Sequence, residues 1–288
     1  MSSFKNFAIV GAGNLGSFIL DELLKVKTAG GIDKVVVLTR PDSVGKLDSY
    51  ASNGAIVVPI PDYNDVSTVS EALKGVDVLI STLGHAAATQ LQVPIAEAAR
   101  SAGVKLFVPS EFGSSTDGAK QGHLAMKLEL TEKLATIMPV TKFFNGNLAD
   151  WMWMPMVHLD VKSGKVAVGG DGNAKMSFTS RPDIARYVVH VLTTLAPEET
   201  VNKTFRIESQ RLSFNEIFEV YEQRTGTKLE IKYIPIDELQ ENIRKDPRDF
   251  GSMLHLAWAS GAGTVGDSSA LDNAMFPEWN PTPVIDYL

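Results

Sequence analysis

The sequence contains no cysteine among its 288 residues. Disulfide frameworks, Cys-ligated zinc sites, iron–sulfur clusters and cysteine nucleophiles are therefore excluded. Long apolar runs are missing too: the longest, residues 151–157, falls far short of the roughly 18 residues that a membrane-spanning helix needs. Basic residues do not cluster, and 34 acidic against 27 basic residues give a net charge of −7. We therefore expect neither nucleic acid nor a membrane as a partner.

The composition is that of a folded globular protein. Hydrophobic residues make up 44% and charged residues 21% of the chain, which argues against disorder. A strand-like run at residues 7–10 and the glycines after it leave no room for the regions of a signal peptide, so we expect a cytoplasmic protein. The length suggests about two domains.

The first half of the chain alternates strand-like and helical segments. Six runs are typical of strands, at residues 7–10, 35–38, 56–58, 76–81, 105–109 and 140–144. Helical periodicity fills four of the gaps, at residues 16–27, 66–73, 91–102 and 124–137. Because most of the strand runs are continuously apolar and helices separate them, they predict an α/β fold with a doubly wound parallel sheet.

The pattern becomes a less regular α+β one after residue 154. Asp171-Gly172-Asn173 lies between strand-like runs at 165–170 and 174–178 and predicts a β-hairpin. Capping-box spacing at Ser180 and again at Ser213 predicts two helix starts. We therefore predict a dinucleotide-binding domain over residues 1–154 and a smaller substrate-binding domain over residues 155–288.

The run Gly11-Ala12-Gly13-Asn14-Leu15-Gly16 lies between the first predicted strand and the first predicted helix. In this G-x-G-x-x-G pattern Gly11 permits a tight turn, Gly13 lets the backbone approach a pyrophosphate, and Gly16 lets helix and strand pack closely. The pattern predicts a Rossmann dinucleotide site with all six residues in contact with the cofactor. A phosphate-binding P-loop is excluded because Ser17-Phe18 follows instead of Lys-Ser or Lys-Thr.

The second predicted strand ends in Thr39-Arg40 and lacks the acid that an NAD site uses to bind the ribose 2′-hydroxyl. A guanidinium there pairs with a 2′-phosphate, so Arg40 predicts NADP(H) as the cofactor. Lys46 is a second candidate contact. The alternative for both residues is a solvated position in a loop.

Two further segments follow the fourth and fifth predicted strands, at the edge of the sheet where ligands bind. The first is Ser81-Thr82-Leu83-Gly84-His85, in which Thr82, Leu83 and Gly84 are candidate contacts of the nicotinamide or its ribose. The second is Phe107-Val108-Pro109-Ser110-Glu111-Phe112-Gly113, and Lys127 lies on the helix that follows it.

These stretches together resemble the isoflavone reductase-like, NmrA-like branch of the atypical short-chain dehydrogenases, which includes phenylcoumaran benzylic ether reductases. Pro109-Ser110-Glu111-Phe112-Gly113 is the most specific of them, and the resemblance runs nearly end to end. It implies an NADPH-dependent reductase of a small aromatic or phenolic substrate, with Lys127 as acid/base. In the same setting Lys127 is also suited to bind the nicotinamide ribose.

Several other interpretations stay open. A regulator of the NmrA type that senses NADP(H) and binds a protein partner without turnover is the main alternative, and an isomerase or epimerase is a third. His123 precedes Lys127 by one helical turn and is either a proton relay or an ordinary histidine. The run of Trp and Met residues at 151–156 has three possible interpretations: the wall of a substrate pocket, part of the core, or a surface for a partner. We interpret Glu111 as structural.

Other catalytic templates are absent from the sequence. No Tyr precedes a Lys by four residues, which excludes the Tyr mechanism of the larger short-chain dehydrogenase family. The five histidines form no metal-spaced pair, so we predict no metal site.

Overall fold

The computed structural model describes residues 4–288, which form two compact units. The first unit contains the chain up to Phe112, Thr116–Phe143 and Ile184–Phe205; the second contains Gly113–Ser115, Phe144–Asp183 and Arg206–Leu288. Each unit is thus discontinuous in sequence, because residues 184–205 return to the first. The assignment of cofactor and substrate binding to residues 1–154 and 155–288 stays a prediction.

The first unit is built on a five-stranded parallel sheet in the order β3-β2-β1-β4-β5. Its strands are β1 (Asn6–Val10), β2 (Lys34–Thr39), β3 (Ile56–Pro59), β4 (Val78–Ser81) and β5 (Leu106–Val108). The helices that contribute to this unit are α1 (Gly16–Thr28), α2 (Asp48–Ser52), α3 (Val66–Ala72), α4 (His85–Ser101), α5 (Gly122–Ile137), most of α6 (Arg181–Thr194) and α7 (Pro197–Thr200). The predicted α/β class with a parallel sheet is confirmed.

Apolar side chains of the strands and helices form a buried cluster in this unit. Leu38, Leu79 and Phe107 from three strands pack in the same cluster as Ile95 of α4 and Leu134 of α5. Burial of one such side chain contributes about 1.5–3 kcal/mol, so the continuous apolar runs favour inner strands. The core fixes the carboxyl ends of β1, β4 and β5, and the segments that follow them carry the candidate site.

The sixth predicted strand is not a full member of this sheet. β6 (Lys142–Phe144) pairs with β10 (Thr204–Arg206), and an isolated parallel bridge between Phe107 and Val140 links its segment to β5. The parallel sheet therefore has five full strands, and the sixth predicted run joins it only through this bridge. Local hydrophobic pattern shows that a segment is extended, but it does not reveal a partner that lies far along the chain.

The second unit combines small sheets with helices. Its strands are β7 (Asn147–Leu148), β8 (Lys165–Gly169), β9 (Met176–Thr179), β11 (Gln210–Leu212) and β12 (Glu230–Ile234), and its helices are α8 (Phe214–Thr225), α9 (Ile236–Lys245) and α10 (Phe250–Ala259). One sheet has the order β11-β9-β7, and β12 pairs with β8. At the start of α8, Ser213 and Glu216 form the predicted capping box, with Ser213 N donating to Glu216 Oε2 at 2.7 Å.

The predicted hairpin over residues 165–178 is wrong. β8 pairs in parallel with β12, and β9 pairs in antiparallel with β11. The turn itself does form: Asn173 N donates to Asp171 Oδ1 at 2.9 Å, and Asn215 Nδ2 donates to Asp171 O at 2.9 Å. Turn residues thus specify the local reversal of the chain, whereas the strand partners are selected by packing elsewhere in the unit.

In the described residues 4–288, the helices are all too short or too polar to cross a bilayer.

A buried histidine in the second unit joins two backbone segments. His255 of α10 is buried, its Nδ1 accepts a hydrogen bond from Gly169 N at 3.1 Å, and its Nε2 lies 2.9 Å from Val157 O. A neutral ring with its proton on Nε2 satisfies both contacts. Burial, with a smaller effect of His158, lowers the pKa of His255 despite the opposing contact with Val157 O.

The unfolded chain therefore takes up a proton at His255 before the folded chain does. We expect this residue to make its full contribution to the free energy of unfolding above about pH 6.5 and to lose it progressively below that pH. Urea unfolding at a series of pH values checks this, because the free energy of unfolding of His255→Gln should fall less steeply below about pH 6.5 than that of wild type. Equal slopes in wild type and His255→Gln would contradict the assignment.

Candidate cofactor and active site

The glycine run forms the turn between β1 and α1. Gly11 has a φ of +93°, and a Cβ atom there would lie 3.1 Å from the carbonyl carbon and oxygen of Thr82. A Cβ atom on Gly16 would overlap both Gly11 O and Thr82 Oγ1. The Thr82 hydroxyl in turn donates a short hydrogen bond to Gly11 O. Glycine is therefore required at both positions, because the turn, the helix and the end of β4 meet there.

Gly13 differs from its two neighbours in the run. Its Cβ position has no other atom within 4 Å, and its φ lies outside the left-handed region. The space in front of the first turn of α1 is therefore open at Gly13. A pyrophosphate that approaches a helix N-terminus needs open space of this kind.

Polar contacts join the segments that follow β4 and β5. Ser110 Oγ donates to Leu83 O at 2.7 Å, and Ser110 N donates to Oε1 of the buried Gln92 at 2.7 Å. Since Thr82 contacts Gly11, these bonds bring the glycine run, the Thr82-Leu83-Gly84 segment and the Pro109-Ser110-Glu111 segment to one edge of the sheet. Three of the predicted site segments are thus neighbours in space.

Lys127 lies on α5 beside Glu111. Its Nζ donates to Glu111 O at 3.1 Å and lies 3.2 Å from Glu111 Oε2. The Thr131 hydroxyl donates to Glu111 Oε1 at 2.6 Å. The Glu111 side chain is 1% exposed and that of Lys127 is 23% exposed, so Lys127 is not a freely solvated lysine.

The contact between Glu111 and Lys127 was not predicted from the sequence. The signal was present in the spacing of Lys127 and Thr131, since residues one turn apart share one face of a helix. A buried acid needs partners, and this face supplies two of them.

His123 lies one turn before Lys127 on α5. Burial lowers the pKa of His123, and the nearby positive charges of Lys127 and His85 lower it further. The neutral ring is therefore favoured at neutral pH. Within residues 4–288 no hydrogen bond joins His123 to Lys127, and a proton relay between them stays a prediction.

Arg40 directly follows β2. Its side chain is 71% exposed, and its Nε lies 3.6 Å from Asp42 Oδ1. Exposed ion pairs of this kind contribute about 0–1 kcal/mol, so the guanidinium is free to exchange Asp42 for a stronger anion. The positive charge of Arg40 also acts on Tyr63, but burial outweighs it and raises the pKa of Tyr63 to about 12.

Lys46 lies exposed near the end of the 3₁₀ segment Pro41–Leu47, and its cofactor contact stays a prediction.

The Trp- and Met-rich run at residues 151–156 belongs to the second unit and divides into two sets. Met152 is buried, and Trp153 packs against the same core and donates from Nε1 to Ala149 O at 2.6 Å. Trp151 and Met156 are exposed. Part of the run is therefore core, and the other part presents apolar surface.

The model of the NmrA-like family matches residues 5–280. The chain belongs to this family. The resemblance predicted from the sequence is thereby confirmed, including its isoflavone reductase-like branch.

Two plant enzymes are among the similar proteins. Eugenol synthase 1 of Petunia hybrida is 28% identical over 99% of this chain and 97% of its own length. A phenylcoumaran benzylic ether reductase of Ginkgo biloba is 28% identical over 87% of this chain and 86% of its own length. Leucoanthocyanidin reductase of Vitis vinifera, solved in complex with NADPH, superimposes with a TM-score of 0.83 at 21% identity and covers 98% of this chain and 97% of its own. At that identity the last comparison supports the fold alone.

The glycine run offers a test that separates packing from ligand binding. We expect Gly16→Ala to lower the free energy of unfolding by about 1–3 kcal/mol, because the new methyl group overlaps backbone atoms. Gly13→Ala projects into open space, so its stability should stay near that of wild type while NADPH binding is lost. Urea unfolding and calorimetry with NADPH measure the two effects, with Gly45→Ala as a control in open space elsewhere. NADPH binding by Gly13→Ala at wild-type strength would contradict the placement of the ligand.

Proposed function

We propose that this chain is an NADP(H)-dependent reductase that transfers a hydride to a small aromatic or phenolic substrate. The observation that carries the proposal is the exposed guanidinium of Arg40, which follows β2 at the position where an NAD enzyme has an acid. The glycine turn after β1, which is open at Gly13, lies in the same unit. Leucoanthocyanidin reductase of Vitis vinifera, which has the same fold, was solved with NADPH bound. Eugenol and phenylcoumaran, in the names of two relatives, are aromatic compounds and support the substrate class.

The proposed cofactor contacts extend along the edge of the sheet. The backbone of the glycine run would hold the pyrophosphate, and Arg40, with Lys46 as a second cation, would bind the 2′-phosphate. The backbone at Thr82, Leu83 and Gly84 would bind the nicotinamide half. When bound, NADPH supplies a hydride from C4 of the nicotinamide.

Lys127 would manage the proton of the reaction. Its Nζ donates one hydrogen bond, to Glu111 O, and faces Glu111 Oε2, so N–H bonds remain for a ligand. Hydride addition to an electron-poor carbon of an enone, quinone methide or benzylic ether leaves negative charge on oxygen. An N–H group at that oxygen neutralises the charge by proton transfer. The substrate-binding role of residues 155–288 and the cytoplasmic location both stay predictions.

The test of the proposal is the loss of NADPH absorbance during a screen of phenylpropanoid, flavonoid and quinone compounds. Wild type should consume NADPH with at least one of them. Lys127→Ala should abolish turnover yet keep NADPH affinity within a few-fold, and Lys133→Ala, at an exposed lysine of the same helix, should resemble wild type.

Each other outcome favours a different function. NADPH binding without turnover, together with a co-purified protein, favours a regulator that senses NADP(H). Tight retention of the cofactor without net consumption favours an isomerase or epimerase. Loss of NADPH binding in Lys127→Ala would make this residue a contact of the ribose instead of an acid.

Arg40 tests the cofactor specificity. We expect Arg40→Glu to weaken NADPH binding on the order of 10- to 100-fold, because a charge-assisted contact with the 2′-phosphate contributes about 1.5–3 kcal/mol. NADH lacks this phosphate and should lose much less. Calorimetry with both nucleotides measures the difference, and Arg100→Glu, an exposed arginine of α4, is the matched control. Equal losses for the two nucleotides would remove the phosphate assignment.

A further inference from the structure

Glu111 carries a buried carboxylate at the edge of the sheet where the site lies. Its side chain is 1% exposed. A carboxylate taken out of water costs several kcal/mol unless other groups compensate for it. The groups that do so here come from α5, a helix that the sequence places well after the Glu111 segment.

The two carboxylate oxygens have different partners. Oε1 accepts the Thr131 hydroxyl at 2.6 Å, a bond that fixes the rotation of the carboxylate. Oε2 is buried, accepts no hydrogen bond of good geometry from residues 4–288, and faces Lys127 Nζ at 3.2 Å. The orientation imposed by Thr131 thus leaves Oε2 as a negative charge directed at the ammonium.

The backbone of Glu111 holds the same ammonium from a second direction. Nζ donates to Glu111 O at 3.1 Å, so one residue supplies both contacts that restrict Lys127. The backbone oxygen and the buried carboxylate of Glu111 together therefore restrict the position of Lys127 Nζ.

We propose that Glu111 is a positioning residue that holds Lys127 Nζ in place, so that Lys127 can donate a proton to the substrate. The inference rests on the proposed reductase function. In the step it implies, the hydride pair forms a new C–H bond on the substrate, and the electron pair of the π or C–O bond that yields moves to the substrate oxygen. An N–H bond of Lys127 breaks, an O–H bond forms on that oxygen, and water then returns a proton to the amine.

Acetylation by acetic anhydride tests whether Glu111 holds Lys127, without any substrate. An amine must leave its contacts before it reacts, so mass spectrometry of each lysine reports how freely its amine does so. In wild type, Lys127 should react more slowly than the exposed Lys133 of the same helix. Glu111→Gln should raise the rate at Lys127 on the order of tenfold, because it removes the charge that holds the amine but keeps the shape of the side chain. The rate at Lys133 should not change.

Matched variants separate charge from folding. Glu129→Gln removes an exposed carboxylate of α5 and should leave the Lys127 rate unchanged. Thr131→Val keeps the Glu111 charge but removes the bond that orients it, and Thr136→Val is its exposed control. If Glu111→Gln fails to fold, the acetylation rate of Lys127 in Thr131→Val tests the inference in its place. That rate should exceed the rate in Thr136→Val.

Kinetics on a substrate from the screen provide the second measurement. Glu111→Gln should lower kcat with little change in KM, because the proton donor loses its position while the binding contacts of the substrate stay in place. Folded Glu111→Gln with an unchanged Lys127 acetylation rate would overturn the inference. That result is distinct from failure of the proposed function, in which wild type consumes no NADPH while the acetylation rates still differ.

Discussion

The close approach of Gly16 to Gly11 and Thr82 is the constraint on which the site depends. A side chain at either glycine would force the turn after β1 away from the end of β4. With glycine present, Thr82 bonds to the turn, and the next residue, Leu83, accepts a bond from Ser110. Glu111 follows directly in the chain, and it fixes Lys127. A continuous series of contacts therefore leads from the proposed pyrophosphate turn to the proposed proton donor.

This series explains which parts of the structure the sequence could predict. The glycine run, the inner strands and the Ser213 cap depend on neighbours in the chain, and local pattern identified them. The partner of β6 and the partners of β8 and β9 are distant in sequence, and hydrophobic periodicity does not specify them. The pair of Glu111 and Lys127 was missed for the same reason, since 16 residues and a helix start separate its members.

The two cationic residues of the proposed mechanism are held in opposite ways. Arg40 forms an exposed pair with Asp42, and the loss of such a pair costs about 0–1 kcal/mol. An incoming phosphate can therefore displace Asp42 at little expense. Lys127 faces a buried carboxylate, and removal of one member of a buried pair costs about 3–5 kcal/mol because the other charge is left uncompensated. The first arrangement suits a residue that exchanges anions at each binding event, and the second suits one that must stay in place.

The buried pair also bears on the choice between enzyme and sensor. A protein that only binds a dinucleotide needs a cation near the ribose, and a solvated lysine provides one without the cost of a desolvated carboxylate. Contacts with ribose hydroxyls need only N–H donors, which a solvated lysine also supplies. Glu111 does add something to catalysis, since the position of the proton donor is set before the substrate arrives. The desolvation of Glu111 is therefore better explained by a reaction that consumes a proton than by binding alone.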